Sequence, residues 1–172
     1  MVGEGYEEVL GNIFLMEPTD LEEQKKHFLK LLETIKKESV SLIIIDGMAM
    51  HYRLELGDAI KVKDDERIRN VNRDLARQMK VLSEISRRYN IPVIITNQVY
   101  SDFLSREDLE KGVEKGVNLV GGDLMKYWCK CIIELKSQGN RKKAVLLKHR
   151  SLPVKEMNFE IRNEGIFKRG WI

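Results

Sequence analysis

Ser39-Val40-Ser41-Leu42-Ile43-Ile44-Ile45-Asp46-Gly47 is the stretch whose reading decides the fold. Four large apolar residues run without a break into an aspartate and then a glycine. A continuous β-branched run of this kind predicts a strand buried on both faces, as in a parallel sheet covered by helices. In open α/β sheets, ligand chemistry gathers at the carboxyl ends of the strands. Asp46 stands at such an end, where a carboxylate invites a divalent cation, most often Mg²⁺ beside phosphates. The same position also suits a loop or N-cap aspartate satisfied by backbone N–H groups.

The bulk composition sets bounds on the class. The 172 residues suggest one domain, and 42% apolar with 33% charged residues is enough for one core. A net charge of +3 permits nucleic-acid binding without demanding it. The longest apolar runs are strand-sized rather than membrane-spanning. Residues 1–8 are acidic and glycine-rich, unlike a secretion signal. Cys129 and Cys131 stand two apart on an expected strand, where they do not readily bridge each other. No His or Cys cluster accompanies them, so they read as buried thiols of a cytoplasmic protein.

Outward from the opening stretch, the chain alternates helix and strand. Residues 1–10 resemble the tail of a helix, and residues 12–16 (Asn-Ile-Phe-Leu-Met) predict a strand. Thr19-Asp20-Leu21-Glu22 reads as a capping box, with Thr19 as cap and Glu22 reaching back. A helix to about Lys37 follows, with Leu21, Phe28, Leu31, Leu32 and Ile35 on one face. Residues 48–63 read as a loop. Asp64 or Asp65 then caps a long helix to Tyr89, cored by Ile68, Val71, Leu75, Met79, Leu82 and Ile85. Its arginines fall mostly on the outer faces. Residues 93–97 form the next strand, and the charged stretch 99–120 is a long loop of the kind that carries function. A short helix over 123–128, a strand over 130–136, a turn at 137–140 and a strand over 142–148 come next. Met157, Phe159 and Ile161 alternate inward on a last strand, and Asn163-Glu164-Gly165 turns into Ile166-Phe167. The sheet thus begins with β-α-β crossovers, which predict a parallel portion, and ends in antiparallel hairpins.

Two strand ends then face one crevice, Asp46 on one and Thr96-Asn97-Gln98 on the other. A carboxylate there can hold Mg²⁺ through waters. An amide such as Gln98 can bond a terminal phosphate and pass its state to the following loop. Ile43-Ile44-Ile45-Asp46, the segment His51-Tyr52-Arg53-Leu54-Glu55, and the run from Ile91 through Thr96-Asn97-Gln98 to Val99 resemble the core of the RecA/RadA recombinase family. So do Gly121-Gly122 and Glu164-Gly165-Ile166. With Tyr127-Trp128-Cys129-Lys130, they look most like its archaeal RadB branch. The resemblance covers the chain from about Asn12 to Phe167.

The resemblance implies a single RecA-like ATPase core with Mg²⁺ and ATP as cofactors. It also implies DNA, single-stranded or branched, and a RadA-type recombinase as partners, in homologous recombination and repair. Asp46 matches the aspartate that organises the Mg²⁺ shell. Gln98, with Asn97 beside it, matches the amide that couples nucleotide state to the DNA loops. Residues 48–63 and 100–120 match those two loops, carrying Arg53 in the first and Arg106, Lys111 and Lys115 in the second. A surface pair of Arg53 with Glu55 or Asp58 is the plainer reading of that arginine.

The sequence departs from the family in two places. The phosphate-cradling pattern G-x-x-x-x-G-K-[ST] is missing, and only Lys136-Ser137 offers its last pair, without the glycines. The family places that loop upstream of the residues seen here. The sequence is accordingly expected to be a truncated product or a reduced relative, binding ATP weakly or not at all and not hydrolysing it. The missing strand is expected to leave apolar edges, so that the chain is marginal, closes its sheet differently or self-associates. Asp123 also follows Gly121-Gly122 where many recombinases carry histidine, which argues against nucleotide sensing across a subunit boundary. The second loop is acidic as well as basic, with Asp102, Glu107, Asp108, Glu110 and Glu114.

Arg141, Lys142 and Lys143 head a further basic cluster near the C-terminal hairpins, readable as a phosphate-tracking patch or as a solvated hairpin. A different class remains open. Asp46 joined by Asp58, Asp64, Glu66 or Asp123 would make a metal-dependent nuclease, provided those carboxylates converge.

Overall fold

The computed structural model describes residues 6–101, 117–139 and 141–169. The chain divides into two compact units, one of residues 16–128 and one of residues 1–15 with 129–172.

In the first unit, helix α2 (Leu21–Lys37) starts from Asp20, whose carboxylate accepts the Glu23 N–H at 2.8 Å. Glu23 reaches back to the Thr19 N–H at 2.9 Å and its hydroxyl at 2.7 Å. The capping box is therefore set one residue later than Thr19/Glu22. Asp20 in extended backbone is the better cap, and Glu23 stands three residues beyond it. Leu21, Phe28 and Ile35 are buried as read, together with Gln24, while Leu31 and Leu32 are half-buried.

The opening stretch forms strand β1 (Ile43–Ile45), paired in parallel and in register with β2 (Val93–Ile95). The parallel portion is as expected, but burial on both faces is not. Ile43 is 5% exposed, whereas Ile44 is 60% and its partner Ile94 52% exposed. Alternate side chains take opposite faces, and in this two-stranded sheet only one face is covered.

Residues 48–63, read as a loop, form helix α3 (Met50–Lys61). Only Tyr52 and Ala59 of that helix are buried, and no side chain caps its start. So weak an apolar period leaves little helical signal to read. Helix α4 (Asp65–Arg88) is capped by Asp64, which accepts the Arg67 N–H at 2.9 Å. Val71, Leu75, Met79, Leu82 and Ile85 form the core as expected, with Ile68 half-buried. The ends of the expected long loop pair as antiparallel strands β3 (Val99–Ser101) and β4 (Val117–Leu119). A turn at Gly121 leads into α5 (Gly122–Trp128).

In the second unit, α1 (Tyr6–Gly11) precedes residues that take no regular structure, so the strand read over 12–16 is absent. Ile13, Phe14 and Leu15 are exposed. A strand needs a neighbouring ladder to satisfy its backbone, and among the described residues none is paired with this stretch. Strands β5 (Ile132–Gln138), β6 (Arg141–Lys148), β7 (Lys155–Arg162) and β8 (Gly165–Lys168) make an antiparallel meander in that order. Of the three residues expected to point inward on β7, Phe159 is buried but Met157 and Ile161 are exposed. Alternation put all three on one face, and that face is largely uncovered.

Candidate functional site

The parallel register of β1 and β2 brings their carboxyl tips together. Thr96 N–H donates to the Ile45 carbonyl at 2.9 Å, and the Met48 N–H donates to the Thr96 carbonyl at 3.2 Å. Beyond the last paired isoleucines, Asp46 meets Thr96, whose hydroxyl donates to Asp46 Oδ1 at 2.5 Å. The same hydroxyl accepts the Gly47 N–H at 2.8 Å. Gly47 turns the chain away with φ +75°, a conformation that favours glycine. The third tip is tied in from the β4–α5 connection. Asn97 Nδ2 donates to the Val120 carbonyl at 2.7 Å, and the Val120 N–H donates to the Gln98 carbonyl at 3.1 Å.

The structure thus gathers Asp46, Asn97 and Gln98 on neighbouring strand ends. Asp46 and Gln98 are exposed. The Asn97 amide is spent on holding Val120. Thr96 received no role from the sequence, although a hydroxyl in register with a strand-end carboxylate was a readable signal. The donor set is one exposed carboxylate and one hydroxyl. It fits Mg²⁺, which keeps several of its waters and needs only one or two protein carboxylates.

Among the described residues no three His, Cys, Asp or Glu side chains converge on a metal position. Asp58 pairs with Lys61 at 3.1 Å, Asp64 caps α4, Glu66 is exposed on its first turn, and Asp123 lies 3.6 Å from Lys126. The carboxylate cluster that a nuclease requires is not supported.

Behind the strand tips lies a buried polar contact in the helical layer. Gln24 Nε2 donates to Gln78 Oε1 at 2.6 Å and approaches the Met48 carbonyl at 3.4 Å. Gln78 is 3% exposed, and its own Nε2 has no partner among the described residues. Tyr52 donates to Asn72 Oδ1 at 2.9 Å, and burial pushes its hydroxyl above the usual tyrosine range. Arg67 is held by Glu55 at 2.8 Å, a hydrogen bond that raises its already high pKa. Glu55 is therefore not paired with Arg53. That arginine is exposed on α3 and takes no ion pair among the described residues.

The other cations fall into three groups. Arg106, Lys111 and Lys115 lie outside the described residues. Arg141 and Lys143 share one face of β6 and Lys142 the other, with Lys143 bound to Glu156 at 2.6 Å. The third group is on α4. Arg69, Arg73, Arg77, Lys80 and Arg87 are all exposed, and spacings of four, four, three and seven residues put them on one side of the helix. From Arg69 to Arg87 the row extends about 27 Å. Asp74 engages Arg77 at 3.4 Å and Lys25 at 2.8 Å, and Glu84 interrupts the row near its end. Taken one at a time these cations are only outer-face charge, and the helical period is what lines them up.

Comparison with known proteins supplies the family. The Rad51 family model matches residues 3–169. The DNA repair and recombination protein RadB of Methanobrevibacter smithii is 33% identical over 171 residues, covering 96% of this chain and 67% of its own. The proteins of the same name from Methanosphaera stadtmanae and Methanocaldococcus jannaschii are 32% identical over 170 residues and 34% over 163. They are covered to 66% and 68% of their lengths, and cover 96% and 94% of this chain. The chain spans about two thirds of the length of these relatives. Among the described residues no helix is long and apolar enough to cross a membrane.

Proposed function

Because the chain belongs to the Rad51 family, we propose that it serves DNA repair and homologous recombination as a DNA-binding accessory of a RadA-type recombinase. The names of its relatives support the process. The row of cations on α4 carries the binding. Arg69, Arg73, Arg77, Lys80 and Arg87 present a positive edge about 27 Å long. Such an edge follows the phosphates of a strand, and release of condensed counterions drives the association. Arg53 on α3 adds a further exposed guanidinium in the same unit.

The strand tips supply the second half of the reading. Asp46 would hold Mg²⁺ through waters, with Thr96 fixing the carboxylate, and Gln98 would offer its exposed amide to a terminal phosphate. Bound Mg²⁺ would neutralise phosphate charge at this edge. With no G-x-x-x-x-G-K-[ST] loop in these 172 residues, the chain lacks its own nest of phosphate donors. ATP is then held weakly and not turned over by this chain alone.

The test is a salt titration of binding to fluorescein-labelled single-stranded DNA, read by anisotropy. Reversing Arg69 and Arg73 together to glutamate is expected to weaken binding about ten-fold. It should also flatten the log–log salt slope by about 1.4, two contacts at about 0.7 each for a single strand. An unchanged slope removes α4 from the interface. Steady ATP turnover at millimolar Mg-ATP by the pure chain refutes the expectation that it does not turn ATP over alone.

A further inference from the structure

The four-stranded sheet of the second unit has two chemically unlike faces. Its strand register assigns each residue to one of them. On one face stand Glu134, Glu156 and Glu160, each bound to a cation. Glu134 meets Lys136 at 3.2 Å, Glu156 meets Lys143 at 2.6 Å, and Glu160 pairs with Arg162, whose guanidinium lies 5.0 Å over Phe167. The three glutamates of this face are neutralised by cations of the same sheet.

The opposite face carries no acid among the described residues. Register places Leu135, Ala144 and Met157 in one row and Ile161 with Ile166 in another. Between those rows, Lys142 and Lys168 flank Phe159 on either side. Leu135 is 71% exposed and Ile166 72%, and the face encloses a groove of about 350 Å³ with Phe159 on its floor. Lys142 and Lys168 take no ion pair among the described residues. An exposed apolar surface of this extent marks an interaction site. The unpaired lysines state the sign of what it meets.

We infer that this face docks an amphipathic, acidic helix of a partner protein. Leucine-sized side chains of the helix fill the groove, and two carboxylates neutralise Lys142 and Lys168. Those lysines stand two strand spacings apart, about 10 Å. A helix matches that span with acidic residues at i and i+7, about 10.5 Å along its axis, and apolar residues at i+3 and i+4 between them. A second copy of the chain fits less well, because two such faces would set lysine against lysine. A concave groove with a lysine inside it also suits a peptide ridge better than the flat surface of a bilayer.

The experiment uses the whole chain and a fluorescein-labelled helical peptide with glutamates at i and i+7 and leucines at i+3 and i+4. The same peptide with lysine for glutamate is the control. Binding of the glutamate peptide at least ten-fold tighter than the lysine peptide is expected. The double variant Lys142→Glu, Lys168→Glu is expected to reverse that preference with an unchanged circular dichroism spectrum. Absence of peptide binding, or equal binding of both peptides, overturns the assignment. Capture by phosphatidylserine vesicles without peptide binding overturns it in favour of a lipid surface. A dimer in sedimentation velocity that Leu135→Asp dissociates overturns it in favour of a second copy.

Discussion

Thr96 and Asp46 are joined across the parallel strands by a hydroxyl–carboxylate hydrogen bond at 2.5 Å. Because the same oxygen accepts the Gly47 N–H, one side chain fixes both the carboxylate and the turn that follows it. Thr96→Val keeps the shape and removes the clamp. It is expected to cost about 1 kcal/mol, a melting shift of roughly 2–4 °C for a chain of this size. Thr96→Ser should restore most of it. Scanning calorimetry that finds valine and threonine equally stable would show that the clamp contributes nothing.

Gln24 and Gln78 make a double-mutant test. Gln24→Leu leaves the Gln78 carbonyl buried without its donor and is expected to cost about 1–3 kcal/mol. Gln78→Leu should cost less, since it also removes an Nε2 that has no partner among the described residues. With both replaced, neither glutamine leaves an unpaired amide behind, and the double variant should be more stable than the sum of the single losses implies. Urea midpoints measure this, and strict additivity would refute the coupling.

Two glycines should respond to alanine with opposite signs. At Gly121, with φ +79°, a Cβ would stand 2.9 Å from Met125 Cγ and 3.2 Å from Leu75 Cδ2. Both neighbours are fully buried and have nowhere to retreat. Gly121→Ala is expected to cost roughly 1–3 kcal/mol. Gly57 lies within α3 with nothing within 4 Å of an added Cβ. Gly57→Ala should stabilise by about 0.4–1 kcal/mol, because the unfolded chain loses freedom. Thermal melts that rank the pair the other way would show the backbone argument to be wrong.

Glu23 gives the acid limb a feature. The Thr19 N–H and hydroxyl hold its carboxyl below the usual 4.5. A depressed carboxylate stabilises the fold above its unfolded pKa, and that contribution is lost as pH falls through the folded value. Between about pH 7 and pH 3, the melting temperature of Glu23→Gln should fall less steeply than that of the parent. Parallel curves would mean that the α2 cap contributes no pH dependence.

The two thiols should separate by reactivity. Burial pushes Cys129 above the ordinary thiol value, with a smaller opposing effect of Lys148, while Cys131 is exposed. Only the thiolate reacts, so iodoacetamide should label Cys131 first, and Cys129 should need higher pH as well as longer exposure. Mass spectrometry of partly labelled protein decides the order.

The strand Ile43-Ile44-Ile45 could be read from its own residues because a β-branched run before Asp46-Gly47 has few other uses. Helix α4 was equally plain, since Val71, Leu75, Met79, Leu82 and Ile85 keep one period through a capped segment. Helix α3 was hidden because only Tyr52 and Ala59 face the core, and two buried residues do not make a stripe. The stretch 12–16 misled for the opposite reason: Ile13, Phe14 and Leu15 have a strand's composition but, among the described residues, no strand paired with them.

The sequence by itself determined the parallel pairing, the acidic and amide-bearing strand ends, and the family. All of these rest on local runs of residues whose order is their signal. Tertiary structure alone decided that Thr96 clamps Asp46, that Gln24 meets Gln78 from 54 residues away, and that Lys142 and Lys168 stand on the face of the C-terminal sheet opposite the Lys143–Glu156 pair. Such relations depend on which strands lie side by side and in what register. Pairing between distant segments is set by the whole packed chain rather than by any stretch within it.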